Sequence, residues 1–362
     1  MKRVSKARFF RSGCAVAAAL ILAGCALVYF LWYKPQGDLP LAESLDLPTL
    51  PAEPALTPKA ESPLAPAVPQ NTAPLSNRNT PETNKQPLCG SSAAWTVLLV
   101  GTDQQSTEYL YGLADAIRVA RIDFTRPQVN VVALPRNLIV NNPARLDVQG
   151  PILLNQAYLF GAPGMGHYQG SGDGAGALAE TIQYNFGVTP DHYVVANRWV
   201  FIEFIDAIGG IEVDLPTYVD DRPRSYFPPG KQTLNGKQAI NLVRARWKYS
   251  DLIRIDNQTL VVRAIFARLR NPAVWSKIPS IHASLKDSII TDVTPSQISS
   301  LLCLLTKMES SDIVFYSPSS ELIQYGWDFI PTMSKQMQIS FWDQKFTTWV
   351  AESLLAEKPG AH

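Results

Sequence analysis

Arg244, Arg246, Asp251, Arg254 and Gln258 fall within fifteen positions of a 362-residue chain. Their types and spacing point most directly to chemistry. Each guanidinium presents a planar fork of N–H donors that matches phosphate oxygens bidentately. From Asp251 onward Ile255, Val262, Ile265 and Leu269 form an apolar stripe at helical spacing. A helix there puts Arg254 and Gln258 one turn apart on a common face. Val243–Arg246 is expected to be extended, so that Arg244 and Arg246 project to one side. Long donor side chains then converge on one anion from a strand-like segment and a helix start. A generic arginine cluster is a set of solvated surface charges and ion pairs; this spacing favours a phosphate site.

Two carboxylates could complete it. Asp103 ends Gly101-Thr102-Asp103, directly after the apolar run 95–100, and Asp115 precedes the next apolar run. Carboxylates at neighbouring strand ends suit one Mg²⁺, which commonly takes one or two of them together with substrate phosphates. The plainer alternative makes Asp103 a turn cap and Asp115 a surface charge. Arg136, in Leu134-Pro135-Arg136-Asn137, follows the third apolar run and is a further phosphate ligand candidate. Other site types find little support. The chain has no Gly-x-x-x-x-Gly-Lys-Ser/Thr loop and no Gly-x-Ser-x-Gly elbow, and His167, His192, His282 and His362 lack zinc-ligand spacing. Gly170–Gly176 is rich in glycine but follows no strand, and reads as a loop entering a helix. A net charge of +1 excludes a broad nucleic-acid surface.

The elements that must position these groups are legible as short runs. Strands are expected at 95–100, 116–123 and 128–133, the last two joined by a hairpin over Phe124–Pro127. Further strands are expected at 192–196, 211–215 and 312–316. Helices are expected at 155–160, 175–185, 199–208 (stopped by Gly209-Gly210), 295–308 and 341–355. This order implies an α/β domain with helices packed on one sheet. No linker interrupts it, so residues 89–355 are read as one domain.

Ahead of that domain, residues 1–11 carry Lys2, Arg3, Lys6, Arg8 and Arg11 without an acid, and residues 12–33 are uncharged and mostly apolar. The run is long enough to cross a bilayer, and the basic flank keeps the N-terminus in the cytoplasm. A cleavable signal is one rival. Leu22-Ala23-Gly24-Cys25 resembles a bacterial lipobox and is another, but the chain stays apolar beyond Cys25. Every reading places the remainder outside the membrane. Residues 34–88 hold twelve of the 28 prolines and read as a disordered stalk. Cys89 and Cys303 are the two cysteines outside the apolar run. An extracytoplasmic location permits disulfides, so they are expected to pair; two unpaired buried thiols are the alternative.

The ordered motifs Gly101-Thr102-Asp103, Leu134-Pro135-Arg136, Leu154–Tyr158, Ile208–Val213, Leu234–Ala239, Val243–Arg246 and Asp251–Arg254 with Gln258 resemble the LytR-CpsA-Psr family of membrane-anchored, extracytoplasmic proteins. The resemblance covers roughly residues 95–270. It implies a mixed central β-sheet flanked by helices. It also implies a phosphotransferase that moves a glycopolymer from a polyprenyl-pyrophosphate carrier to peptidoglycan. By the same resemblance Asp103 and Asp115 would bind Mg²⁺, while Arg136, Arg244, Arg246, Arg254 and Gln258 would grip the pyrophosphate. An apolar tunnel between sheet and helices would take the lipid. The chain departs from the family pattern at Leu113, Asn137 and Asn257, where the family usually has Arg, Asp and Arg. Two other activities use the same residues: hydrolysis of the lipid pyrophosphate, and binding of lipid-linked wall polymer without turnover.

Overall fold

A computed structural model of the chain describes residues 86–104, 111–245, 251–285 and 288–358. The basic tail, the apolar run and nearly all of the proline-rich stretch lie outside the described residues, as does Arg246. Among the described residues no helix is long and apolar enough to cross a membrane.

Along the chain run β1 (Ala94–Thr102), β2 (Ala114–Asp123), β3 (Gln128–Leu134), β4 (Ile139–Val140), β5 (Ile152–Leu153), α1 (Leu154–Phe160), α2 (Asp173–Phe186), β6 (His192–Ala196) and α3 (Arg198–Ala207). Next come β7 (Ile211–Leu215), β8 (Val219–Asp221), β9 (Ser225–Phe227), β10 (Gly230–Leu234), α4 (Gly236–Arg244) and α5 (Asp251–Leu269). The chain continues through α6 (Pro272–Trp275), α7 (Ile278–Leu285), β11 (Ile290–Thr291), α8 (Pro295–Thr306), β12 (Ile313–Tyr316), β13 (Gln324–Ile330), β14 (Lys335–Phe341) and α9 (Gln344–Leu355).

Six strands form one sheet in the order β11-β6-β1-β2-β3-β12. The predicted β2–β3 hairpin is present and antiparallel, β1 pairs antiparallel with β2, and β6 and β12 add in parallel. All seven residues of β3 are buried, which fits a strand covered on both faces. One face carries Leu98, Val100, Ile117, Val119, Val132 and Leu134 against residues of α1, α2 and α9. The other carries Val97, Ala120, Ile122, Val129 and Val131 against Leu304 of α8 and Phe266 of α5. Separately, β7 alternates buried and exposed residues as predicted, and its Ile211, Val213 and Leu215 pack with α3, α4 and α5. The turn ahead of β7 uses Gly209 and Gly210 at φ +84° and +78°, backbone that favours glycine.

The α5 helix is therefore held on two sides. Val261 and Ala264 meet the β7 cluster, while Ile255 is buried and Ile265 and Leu269 are only partly so. The stripe expected at Ile255, Val262, Ile265 and Leu269 is thus displaced, because a helix between two layers buries more than one face. The closing helix also starts later than expected. Phe341 ends β14, and Asp343 caps α9 by accepting the Lys345 N–H at 2.9 Å.

Cys89 and Cys303 are joined in a disulfide with Cα atoms 5.8 Å apart, tying the entrance of β1 to α8. At the β2–β3 turn Asp123 Oδ1 accepts the Thr125 N–H at 2.8 Å, the Thr125 hydroxyl at 2.7 Å and the Arg126 N–H at 3.0 Å. Burial pushes this carboxyl upward, but those bonds outweigh it and hold the group below its usual range. Asp123→Ala is expected to cost about 1–2 kcal/mol in unfolding free energy at neutral pH. A carboxyl with a depressed folded-state pKa stabilises above its unfolded pKa, about 3.9, and loses that stabilisation as pH falls through the folded value. Denaturant unfolding at pH 7 and pH 3 should therefore show the two proteins converging in acid. An equal gap at both values would contradict the assignment.

Candidate active site

The site begins with an irregularity in the ladder. Gly101 pairs with Ala116 and Thr102 with Ala114, which leaves Asp115 as an extra residue on β2. Such a β-bulge bends the strand and re-aims a side chain. Just beyond it, Asp103 donates its N–H to Leu113 O at 3.1 Å and accepts the Leu113 N–H on Oδ1 at 2.9 Å. Asp103 is thus opposite Leu113, two residues before the bulged Asp115.

Two arginines close on Asp115. Arg136 leaves β3 through Pro135 and places Nη1 2.6 Å from Asp115 Oδ1. Arg254, in the first turns of α5 and only 3 % exposed, places Nη2 3.5 Å from Asp115 Oδ2 and also donates to the Asp115 carbonyl. Gln258, one turn on from Arg254 and also buried, shares with Asp115, Arg136 and Arg254 a pocket of about 10 Å³, completed by Ile255 and the end of β3. A volume of this size admits about one water. Four of the predicted residues thus meet at one point, with Asp103 flanking them.

Arg244 does not line this pocket. Val243 and Arg244 belong to the last turn of α4, so the extended segment expected to align Arg244 with Arg246 is not formed at Arg244. A capping box starts that helix: Asn235 Oδ1 accepts the Gln238 N–H at 2.9 Å, and Gln238 Oε1 accepts the Asn235 N–H at 3.0 Å. Arg246 lies outside the described residues. Asp251 opens α5, and its side chain also lies outside them.

One charged residue joins the neighbourhood from an unexpected place. Arg118, on β2 and 4 % exposed, donates through Nη2 to Ile255 O at 3.2 Å and to Thr259 Oγ1 at 3.0 Å. Its Nη1 has no hydrogen-bond partner among the described residues. Burial lowers this guanidinium to about 10, with Asp256 opposing the shift, so it stays charged at neutral pH. It pins α5 to the sheet directly behind Arg254. The signal in the sequence is an arginine between Ile117 and Val119 in the middle of the strand.

Among the described residues no group of three or more His, Cys, Asp or Glu side chains gathers as a metal cage. The hard oxygen donors of Asp103 and Asp115 instead fit a divalent ion that completes its shell with phosphate oxygens and water.

A model of the LytR_cpsA_psr family matches residues 67–332. The polyisoprenyl-teichoic acid–peptidoglycan teichoic acid transferase TagU of Oceanobacillus iheyensis is 28 % identical over 235 residues, which span 64 % of this chain and 69 % of that protein. The transferase of the same description from Bacillus subtilis, TagV, is 25 % identical over 228 residues, spanning 60 % of this chain and 55 % of that protein. The crystal structure of B. subtilis TagV superposes with a TM-score of 0.57 at 22 % identity, covering 74 % of this chain and 99 % of that one. At that identity the likeness establishes the fold.

Proposed function

The chain belongs to the LytR-CpsA-Psr family, and on that premise we propose that it is a phosphotransferase moving a glycopolymer from a polyprenyl-pyrophosphate carrier to peptidoglycan or another envelope acceptor. The names of TagU and TagV support the substrate class. The observation that carries the reading is the convergence of Arg136 and Arg254 on Asp115, with Gln258 in the same pocket. In the reaction an acceptor hydroxyl oxygen attacks the phosphorus that bears the glycan. The phosphoanhydride bond breaks, polyprenyl phosphate leaves with its electron pair, and the hydroxyl proton passes to water. Little covalent work falls to the protein, so positioning and charge stabilisation dominate.

Asp115 has a double part in this scheme. Without phosphate it sets one negative charge against the buried Arg254 and the partly exposed Arg136. A divalent ion held by Asp103 and Asp115 would neutralise charge on the pyrophosphate oxygens. Arg136 and Arg254 would then turn from the carboxylate to those oxygens, with Gln258 donating beside them. Arg118 would supply a fixed positive charge behind the pair. We place the lipid on the α5 and α8 face of the sheet. There Leu99 of central strand β1, with Val194, Phe266 and Leu301, stays only partly buried. A central-strand side chain keeps exposure only where the covering helices leave a gap. We further propose that residues 12–33 anchor the chain and that the domain works outside the cell membrane.

Full-length protein in detergent, given polyprenyl pyrophosphate, is expected to release inorganic or lipid monophosphate only with Mg²⁺. Turnover that persists in excess chelator would overturn the metal assignment. Tight binding without turnover, even with peptidoglycan added, would make the chain a binder.

A further inference from the structure

A second, larger cleft of about 570 Å³ opens beside the first. Arg136 lines both, so an occupant of the cleft lies next to the reacting phosphorus. One wall is formed by Asn137, Asn155 and Gln156, and the other by Tyr325, Trp327, Gln336 and Gln338 of the β13–β14 hairpin. In the hairpin register Trp327 stands opposite Gln338 and Phe329 opposite Gln336, so rings and amides alternate across the two strands. Trp327 is 72 % exposed, an unusual position for so large an apolar side chain.

We propose that this cleft holds the sugar rings of the acceptor glycan; the inference rests on the transferase reading above. Flat aromatic faces suit the apolar faces of pyranose rings, and carboxamides suit their hydroxyl and acetamido groups. Asn137 and Asn155 also line the cleft, each more than nine-tenths buried, and the Oδ1 of each is closed to solvent and has no partner among the described residues. A hydroxyl donor that reached either would satisfy a group that is costly to bury alone. Leu113, Leu153, Met333 and Met337 also line the cleft, but a polyprenyl chain filling it would strip water from the exposed carboxamides of Gln336 and Gln338 without offering them a hydrogen bond. Among the described residues no carboxylate lines the cleft, and Lys335 joins Arg136 at its margin. The occupant is therefore neutral or anionic. The volume falls within the range of about 300–1,000 Å³ typical of small-molecule sites.

Position favours acceptor over donor. The cleft flanks α1, which packs on the Leu98 and Val100 face of the sheet, whereas the partly covered Leu99 and Val194 are on the opposite face. In-line transfer sets the attacking and leaving oxygens on opposite sides of phosphorus. Lipid phosphate leaving toward one face leaves the other for the attacking sugar.

Chitotetraose, a soluble β-1,4-linked N-acetylglucosamine tetramer, serves as the acceptor probe and farnesyl pyrophosphate as the sugar-free lipid probe, each titrated calorimetrically into the full-length protein in detergent. Trp327→Ala is expected to weaken chitotetraose about tenfold or more and to leave farnesyl pyrophosphate unchanged. Gln338→Ala, across the register from Trp327, should weaken chitotetraose in the same sense. Equal chitotetraose affinity in wild type and Trp327→Ala, or no chitotetraose binding by wild type, would overturn the proposal. So would a Trp327→Ala loss confined to farnesyl pyrophosphate, which would assign the cleft to lipid. Failure of wild type to bind farnesyl pyrophosphate would instead strike the transferase reading, and the saccharide result would stand apart from it.

Discussion

Arg254→Ala is expected to lower turnover of a lipid-linked pyrophosphate about 100-fold to 1,000-fold, the usual consequence of removing one preorganised donor from a developing oxyanion. Arg254 is the buried guanidinium that α5 delivers to the pocket, 3 % exposed and beside Asp115. It is buried, so its charge acts with less screening than a surface arginine. Arg254→Lys separates charge from geometry: it keeps the charge but loses the planar fork. It should fall between wild type and Arg254→Ala. Folding is a confounder that must be measured, because deleting one member of a buried pair can itself destabilise. Here Arg136 remains 2.6 Å from Asp115, so the carboxylate keeps a partner and the variant is expected to fold. A folded Arg254→Ala protein within threefold of wild-type turnover would remove Arg254 from the machinery.

The second large effect is expected at Asp115. Asp115→Asn keeps the shape of the side chain and the bulge that aims it, and it removes the negative charge. Two things are lost together: the counter-charge to Arg136 and Arg254, and one of the two carboxylates proposed for the metal. Turnover should fall about 100-fold or more, and the Mg²⁺ concentration for half-maximal activity should rise. The shift in the Mg²⁺ titration separates the two roles. A residue that only braces arginines would lower the rate without moving the metal dependence. An unmoved midpoint in Asp115→Asn would therefore remove Asp115 from the ion. Asp103→Asn should also raise the midpoint, although Asp103 is outside the small pocket.

Much of this site follows from local spacing, and its misreadings have definite causes. Arg254 and Gln258 share a face because α5 is a helix from Asp251, as the apolar periodicity indicates. The strand-end positions of Asp103 and Asp115 follow from two apolar runs. The bulge at Asp115 has no local signature; it exists only as a mismatch of count between β1 and β2. The alternation Arg-Ala-Arg suggests an extended segment at Arg244, yet the Asn235–Gln238 capping box commits the chain to a helix that runs through Arg244. Arg118 meets a helix 137 residues later in sequence, a distance over which pattern carries no information. The β13–β14 hairpin is hidden in the sequence for a further reason. Its aromatic residues Tyr325, Trp327 and Phe329 alternate as a strand should, but they are the exposed ones, whereas alternation is ordinarily read with the apolar side turned inward.

The most direct test supplies the full-length protein with a glycan-loaded polyprenyl pyrophosphate, Mg²⁺ and peptidoglycan, and follows where the glycan phosphate goes. Glycan is expected to be joined to peptidoglycan through a phosphodiester, with one polyprenyl monophosphate released per linkage, and both products should form about 100-fold to 1,000-fold more slowly with Arg254→Ala. Glycan phosphate free in solution despite a saturating acceptor would contradict this expectation and make the chain a hydrolase.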